Sequence, residues 1–260
     1  MIAHKKFIVS ESHDWLTFVH GAGGSSNIWF KQLRYFLPHY NILLLDLRGH
    51  GESAGIKKFS QTNKYTFEEI AQDVIEVMDF LKIKQSHFVG ISMGSIVIRK
   101  LAEMNTSRVQ SMVLGGAVMH MNLKSKVLIV FGNIFKNVIP YMILYKLYAH
   151  IILPKQNHKD SRNIFIQEAK KLYQKEFIRW FRLTTELGRI LKFFRQKEIS
   201  VPTLYIMGSE DHMFLPSVKE VVSRHVNSSS LHVIEGCGHV VNIEKPLVFN
   251  QVTLRFLQQY

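Results

Sequence analysis

The chain has 260 residues, of which 47% are hydrophobic and 20% are charged, a composition typical of a globular protein with one large buried core. Intrinsic disorder and collagen-like repeats are excluded on this ground. The charge is unusual: 33 basic against 20 acidic residues give a net charge of +13. Such a surplus favours a polyanionic partner, either nucleic acid or an anionic membrane surface.

The sequence contains one cysteine, Cys237, which cannot form an intramolecular disulfide, so nothing requires an oxidising compartment. No apolar run of signal-peptide length follows Met1. The most hydrophobic stretch, residues 127–153, is interrupted by lysines and a proline, which argues against a transmembrane helix. We therefore expect a cytoplasmic protein, and association with the inner membrane surface stays open.

The first 118 residues alternate short apolar runs with helical patterns, as βαβ units of a largely parallel sheet do. Thr66 and Glu69 have the spacing of a capping box and predict the start of a helix. The predicted strands and helices of this part are, in chain order, a strand at 16–19, a strand at 41–47, a helix at 66–81, a strand at 87–91, a helix at 93–103 and a strand at 109–114.

Strand-like alternation then stops, and residues 119–198 show apolar residues near helical spacing. Pro140 is best placed in the first turn of a helix within this segment, and further helical patterns cover 163–181 and 184–194. The βα rhythm resumes with strands at 203–207 and 231–234 and helices at 217–225 and 246–260. The sequence thus predicts an α/β core in two parts, residues 1–118 and 199–260, interrupted by a helical insertion, residues 119–198.

The sharpest motif is Gly90-Ile91-Ser92-Met93-Gly94, between a predicted strand and a predicted helix. This is the context of a G-x-S-x-G nucleophile elbow, in which a tight turn presents the serine hydroxyl at the carboxyl end of the strand. A glycine-rich turn with an incidental serine is the alternative. Strand-turn-helix context favours Ser92 as a nucleophile.

A serine nucleophile needs a base that a third group orients. Among 13 histidines, His239 follows the last predicted strand. His4, His39, His158 and His225 fall on surface-like segments and are expected to be solvated, and His87 begins a strand at the opposite end of the sheet. For the acid, Asp211 and Glu210 both follow the strand at 203–207. The turn after the strand at 109–114 contains no carboxylate.

An oxyanion needs backbone N–H donors that are fixed before reaction. Met93, directly after the serine, supplies one, and the glycine-rich loop His20-Gly21-Ala22-Gly23-Gly24 supplies another. A phosphate-binding loop is the alternative, but the spacing matches neither common nucleotide-binding glycine motif.

Five ordered motifs resemble those of the α/β-hydrolase superfamily over essentially the whole chain: the HG loop at His20, Asp46 to Ser53, the elbow at Ser92, the turn at Asp211, and Gly238-His239. The resemblance implies an α/β fold with a mostly parallel eight-stranded sheet flanked by helices, and a helical cap at 119–198. It also implies a Ser92, Asp211 and His239 triad, with Asp211 preferred to Glu210, and an oxyanion hole of the Ala22 and Met93 amides. Asp46 and Arg48 are expected to brace loops.

Family members with other activities narrow the expected chemistry. Haloalkane dehalogenases and epoxide hydrolases have aspartate where this chain has Ser92, which disfavours both activities, whereas hydroxynitrile lyases and cofactor-free oxygenases share the scaffold. We expect a serine hydrolase that cleaves apolar or lipid-like carboxylic esters, without metal or organic cofactor. A thioesterase, a carbon–carbon bond hydrolase and a ligand-binding signalling protein of the same fold are the alternatives.

The surplus of positive charge lies in the predicted cap. Residues 119–198 contain 16 basic and 5 acidic residues, a net charge of +11, so the rest of the chain contributes +2. One interpretation is a set of amphipathic helices with solvated lysines. The other is an interfacial cap whose basic face contacts anionic lipid. Nucleic-acid binding is disfavoured because no recognition motif accompanies the charge.

Overall fold

The computed structural model describes residues 1–56 and 65–260. The strands are β1 (His4–Phe7), β2 (Trp15–Val19), β3 (Asn41–Leu45), β4 (Ser86–Ile91), β5 (Val109–Gly115), β6 (Thr203–Gly208) and β7 (Ser229–Ile234). They form one sheet in the order β1-β3-β2-β4-β5-β6-β7, in which β1 is antiparallel to β3 and every other pair is parallel. The α/β fold with a mostly parallel sheet is confirmed.

Helices flank the sheet and follow most strands. They are α1 (Phe30–Phe36), α2 (Phe67–Phe80), α3 (Met93–Met104), α4 (Leu123–Phe135), α5 (Tyr141–Ile152), α6 (Lys159–Ala169), α7 (Gln174–Arg182), α8 (Thr184–Gln196), α9 (Leu215–Arg224), α10 (Val241–Glu244) and α11 (Pro246–Leu257). None of these described helices combines the length and apolar content that crossing a bilayer requires.

The central strands are buried on both faces because helices cover both sides of the sheet. On one side Phe88 and Leu114 pack with α2 and α3, and on the other Val89 and Val113 pack with α11. Each fully buried large apolar side chain contributes about 1.5–3 kcal/mol relative to an exposed one. This two-sided core fixes the strand ends that carry the candidate site.

The predicted start of α2 is confirmed at atomic detail. The Thr66 side chain accepts a hydrogen bond from the Glu69 amide, and the Glu69 carboxylate accepts one from the Thr66 amide. These reciprocal bonds satisfy two donors that a helix start would otherwise leave free.

The described residues contain seven strands, so the expectation of eight is not confirmed. The eighth was implied by the resemblance alone, and no strand-like run in the sequence corresponds to it. Conversely, β1 was not predicted, because its sequence His-Lys-Lys-Phe is half-exposed and lacks an apolar run. It is an edge strand whose lysines discourage pairing with another chain.

The segment between β5 and β6 contains the five helices α4 to α8, here called the inserted helices, and no described strand. The pattern predicted at 163–181 is in fact two helices, α6 and α7, separated by residues 170–173. No glycine or proline occurs there to signal the break. The inserted helices form an apolar cluster among themselves, which includes Leu144, Phe177 and Phe181. Leu187 and Phe194 of α8 belong instead to the apolar cluster on the sheet.

Candidate active site

The four predicted site segments meet at the carboxyl edge of the parallel strands. Ser92 follows β4, Asp211 follows β6, His239 follows β7, and the loop containing Ala22 follows β2. Since β2, β4, β6 and β7 run in the same direction, their carboxyl ends open onto one crevice, where open α/β sheets bind ligands. The fold therefore converts four distant sequence positions into neighbours.

Ser92 has the backbone of a nucleophile elbow, with φ of 54° and ψ of −119°. These angles match the first central residue of a type II′ turn, where glycine is usual. The turn is held because the Ser92 amide donates to the Gly115 carbonyl at 3.0 Å. Gly94 lies so close to β2 that a Cβ would overlap the Val19 carbonyl oxygen. Only glycine fits there, which explains the motif's last position.

A continuous hydrogen-bond chain links Ser92, His239 and Asp211. The Ser92 hydroxyl lies 2.9 Å from His239 Nε2, and His239 Nδ1 lies 2.7 Å from Asp211 Oδ2. Because a carboxylate only accepts, Nδ1 carries the proton and Nε2 is free to accept from the serine. The second Asp211 oxygen accepts from the Phe214 amide at 3.1 Å, which fixes the carboxylate. Asp211 and His239 are both buried.

Glu210, the competing carboxylate, points away from His239. It accepts hydrogen bonds from Lys155 and Asn157 and lies 2.8 Å from His158 Nε2. The three hydrogen bonds lower the pKa of Glu210 to about 2, with those from Asn157 and Lys155 contributing most. Glu210 thus joins the turn after β6 to the connection between α5 and α6, and of the two carboxylates it is Asp211 that contacts His239.

The expectation that His158 and His225 are solvated is wrong, since both side chains are buried. His158 packs beside Gly238, and His225 Nε2 lies 3.2 Å from the Arg195 carbonyl. Each ring thus contacts a segment distant in sequence: the turn at Gly238 for His158, and helix α8 for His225. His87 is placed as expected, at the amino end of β4 and away from Ser92.

The glycine-rich loop lies against the elbow. A Cβ on Gly21 would be 3.0 Å from the Ile91 carbonyl oxygen and 3.2 Å from the Ser92 Cβ. Two loop amides are already used: Gly23 donates to His50 Nε2 at 2.8 Å, and Gly24 donates to the Gly21 carbonyl. Within the described part of the chain, the Ala22 and Met93 amides donate to no backbone or side-chain acceptor. Both amides are therefore free to donate to an oxygen bound beside Ser92.

Two buried histidines fix this loop from behind. His20 Nε2 accepts from the Leu47 amide at 3.0 Å and its Nδ1 donates to the Gly21 carbonyl at 2.7 Å. Burial lowers the pKa of His20, and it lowers the pKa of His50 well below the usual range. Both rings are therefore neutral near pH 7, which their role as acceptors requires.

Asp46 and Arg48 brace loops beside the site. Asp46 accepts from the Ser26 amide at 2.6 Å and from the Glu52 amide at 2.8 Å. Arg48 donates to Asp73 at 2.6 Å, and its carbonyl accepts from the Trp180 indole of α7 at 2.9 Å. Neither side chain contacts the Ser92 hydroxyl, in line with the structural role expected.

A cavity of about 200 Å³ lies over Ser92. The sheet contributes the Ser92, His239, Ala22 and Met93 side, and the inserted helices contribute most of the rest. Within the described lining no Lys, Arg, Asp or Glu side chain occurs; the lining from the inserted helices is Ser125, Leu128, Ile129, Tyr145, Tyr148, Ile152, Phe165, Phe177, Trp180, Phe181, Thr184 and Leu187. The cavity is thus apolar, as small-molecule sites commonly are.

Two residues that support the site were not found in the sequence. The Tyr145 hydroxyl of α5 donates to the Ala22 carbonyl at 3.0 Å. The Glu244 carboxylate accepts from the Gly238 amide at 2.7 Å and from the Val240 amide at 3.1 Å, on both sides of His239. Glu244 lies five positions after the histidine and could have been considered as a loop brace, whereas nothing in the sequence connects Tyr145 with Ala22.

No group of three or more His, Cys, Asp and Glu side chains suited to a metal ion occurs within residues 1–56 and 65–260. Cys237 is buried, and burial raises the pKa of its thiol. It therefore lacks the thiolate character that a second nucleophile needs.

The sequence model of the α/β hydrolase fold family matches residues 14–135 and 146–246 of this chain. The match covers most of the chain and every site residue described above except Tyr145, which lies between the two matched ranges. The protein belongs to the α/β hydrolase fold family.

Individual relatives are distant. The chain is 23% identical over 247 residues to 3-oxoadipate enol-lactonase 1 of Acinetobacter baylyi, covering 94% of this chain and 88% of the relative. It is 25% identical over 250 residues to a putative esterase/lipase of Haemophilus influenzae, covering 94% and 83%. A solved structure from a study of carboxylesterases of the Thaumarchaeon Nitrososphaera gargenis superposes with a TM-score of 0.80 at 20% identity, covering 98% of this chain and 93% of the other. At this identity the structural likeness shows the fold.

Proposed function

We propose that the protein is a serine hydrolase of carboxylic esters, with Ser92 as nucleophile, His239 as general base and acid, and Asp211 as the group that orients His239. The observation that carries the proposal is the hydrogen-bond chain from Ser92 through His239 to Asp211, at 2.9 and 2.7 Å, at the floor of an apolar cavity. A serine hydroxyl becomes an effective nucleophile when such a base accepts its proton.

The reaction follows from this arrangement in two halves. The Ser92 oxygen bonds to the ester carbonyl carbon while its proton passes to His239 Nε2, and the carbonyl oxygen becomes an oxyanion near the Ala22 and Met93 amides. When the C–O bond to the alcohol breaks, His239 returns the proton to the leaving oxygen, which leaves an acyl group on Ser92. A water molecule then gives a proton to His239 and attacks the acyl carbon. The bond between that carbon and the Ser92 oxygen breaks, His239 returns the proton to the Ser92 oxygen, and the acid is released.

The cavity favours an apolar acyl group. Aromatic and aliphatic side chains dominate the described lining, and a charged substrate would find no opposite charge among them. We propose that residues 119–198 act as a cap whose inserted helices enclose this acyl group. The enol-lactonase relative is consistent with the same chemistry, because a lactone is an internal ester.

Labelling with a fluorophosphonate probe tests the nucleophile. Wild-type protein should be labelled, Ser92→Ala should not, and Ser95→Ala serves as the matched control because Ser95 lies one helical turn away and its hydroxyl donates to the Ser92 carbonyl. Absence of labelling in folded wild-type protein would contradict a serine hydrolase and favour a ligand-binding protein of this fold.

A series of p-nitrophenyl esters of increasing acyl length tests the substrate class. We expect kcat/KM to rise from acetate to medium chains as the acyl group fills the cavity, and then to fall. Acyl thioesters with the same chains, measured in parallel, distinguish a thioesterase. A strict preference for acetate would contradict the apolar-acyl proposal.

A further inference from the structure

The helix α4 carries an exposed apolar stripe on its outer face. Leu123, Val127, Val130 and Ile134 recur at intervals of four, three and four residues, so they lie on one side of the helix, and Val138 continues the series just beyond its end. These five side chains, the α4 stripe, are between 59% and 80% exposed. A contiguous series of exposed branched aliphatic residues is a mark of an interaction surface rather than of an ordinary solvated helix.

Lysines border the α4 stripe on both sides. With about 3.6 residues per turn, Lys124 and Lys126 project to opposite sides of the line through Val127 and Val130. Both are exposed, and neither forms an ion pair with any residue in the described part of the chain. The segment that contains them has a net charge of +11. The partner should therefore combine an apolar interior with negative charge at its surface.

The opposite face of α4 belongs to the candidate active site. Ser125, Leu128 and Ile129 line the cavity over Ser92, and Gly132 packs against Tyr148 and Phe181. Thus α4 is apolar on two sides, one turned to the cavity and one turned to solvent. A partner that binds the α4 stripe would therefore be separated from the cavity over Ser92 only by the thickness of helix α4.

We propose that the α4 stripe is the face by which the protein binds the surface of an anionic phospholipid bilayer, with the aliphatic side chains in the acyl boundary and the lysines at the headgroups. This pairing of apolar stripe and flanking lysines is how interfacial helices bind bilayers. A second copy of the chain would bring like charges together, and nucleic acid would leave the aliphatic side chains in water. Binding of the α4 stripe to a bilayer does not depend on the proposed function. Only the consequence that the cavity would receive lipid-derived esters from that bilayer rests on it.

Flotation of the full-length protein with vesicles tests the surface without any assay of activity. At low salt the protein should float with phosphatidylglycerol vesicles and much less with phosphatidylcholine vesicles, and about 0.5 M salt should weaken binding because it screens surface charge. The triple variant Val127→Ser, Val130→Ser, Ile134→Ser should lower the partition coefficient by about tenfold or more. Lys124→Gln with Lys126→Gln should lower it only for the anionic vesicles.

The matched control is Val226→Ser with Leu247→Ser, which removes two exposed apolar side chains outside α4 and should leave flotation unchanged. Equal urea midpoints for the variants and the wild type establish that all are folded. Ser92→Ala should float like the wild type, so that loss of hydrolysis and loss of binding are separate results. The proposal is overturned if the wild type does not float at low salt, if the triple variant floats equally well, or if sedimentation shows a dimer that the triple variant dissolves.

Discussion

At Ser92, presenting the side chain to His239 conflicts with the backbone conformation that a non-glycine residue prefers. Its positive φ lifts the hydroxyl out of the chain toward His239, but a side chain in that conformation costs on the order of 1–3 kcal/mol. The surrounding structure must supply that energy, and the elbow's contacts with β2 and β5 are where it does so. The strain is thus a consequence of presenting the proposed nucleophile.

We therefore expect Ser92→Gly to be more stable than Ser92→Ala by about 1 kcal/mol, because glycine adopts this φ without steric cost. Both variants should lack hydrolysis. The measurement is the urea midpoint of each variant, converted with a common slope.

The control for this comparison is an exposed position in a regular helix, Lys219 in α9. There the order should reverse, with Lys219→Gly less stable than Lys219→Ala by about 0.5–1 kcal/mol. If Ser92→Ala equals or exceeds Ser92→Gly, the backbone at Ser92 is not strained.

His87 is a buried histidine, and its burial opposes protonation of the ring. Its ring lies at the amino end of β4 with Nδ1 2.7 Å from the Ser111 hydroxyl, and burial lowers its pKa from 6.5 to about 4. Between these values the unfolded chain binds a proton that the folded protein does not, so stability falls as the pH falls from about 6.5 to about 4. Below the lower value both states are protonated and no further loss arises from His87.

Replacing His87 by Gln should remove part of this acid sensitivity. The shift corresponds to on the order of 3 kcal/mol, so the drop in unfolding free energy between pH 7 and pH 4.5 should be smaller in His87→Gln by a sizeable part of that amount. His39→Gln, at an exposed position, is the control and should keep the wild-type slope. Parallel pH profiles for the wild type and His87→Gln would contradict the shift.

At the scale of elements, α5 supports the loop after β2. Tyr145 is buried, its hydroxyl donates to the Ala22 carbonyl, and a Cβ on Gly23 would overlap its ring. The carbonyl and the amide of Ala22 belong to the same residue, so a hydrogen bond that fixes the carbonyl also restricts the direction of the amide. An inserted helix that lines the cavity therefore also positions a candidate oxyanion donor.

Tyr145→Phe should lower kcat by about tenfold, because the loop loses the bond that orients it, and a misdirected oxyanion donor costs transition-state stabilisation. The effect on KM should be small, since the ring remains. Tyr148→Phe is the matched control: it lies one turn along α5 in the same cavity, but its hydroxyl donates to the Leu128 carbonyl at 3.2 Å. Equal effects of the two variants would show that Tyr145 acts only through packing.

Elements whose residues have local reasons to form were predictable from the sequence. The strands β4 to β6 and the start of α2 were found because apolar runs and a capping box specify them within a few residues. The proposal that Ser92, Asp211 and His239 share one edge of the sheet could be made from the sequence because each lies within a few residues after a predicted strand, whereas the preference for Asp211 over Glu210 came from the family resemblance. The burial of His158 and the bond from Tyr145 to Ala22 arise from contacts between distant segments, which no local pattern records. The break between α6 and α7 has no glycine or proline that would mark it in the sequence.

At the scale of the whole molecule, the inserted helices differ in how much apolar surface they bury against the main core. Helix α8 contributes Leu187, Ile190, Leu191 and Phe194 to the cluster that covers the sheet, so it is part of the main core. Helix α4, by contrast, has only Ser125 and Gly132 buried, and its outer face is the exposed α4 stripe. The net charge of +11 in this segment adds repulsion among the helices. Stability should therefore decline from α8 toward α4.

Native-state hydrogen exchange measures this gradient directly. Amides of α3, between the sheet and α2, should exchange only through global unfolding, and those of α8 should approach that limit because its apolar face is buried in the same cluster. Amides of α4 should exchange through a local opening that leaves α3 protected, with a protection factor lower by about a hundredfold or more. In the presence of phosphatidylglycerol vesicles, α4 should become more protected while α3 stays unchanged, since a bound surface stabilises the state it binds. If α4 and α3 exchange at one common rate without vesicles, the inserted helices and the sheet unfold as one unit, and α4 cannot open the cavity separately from the core.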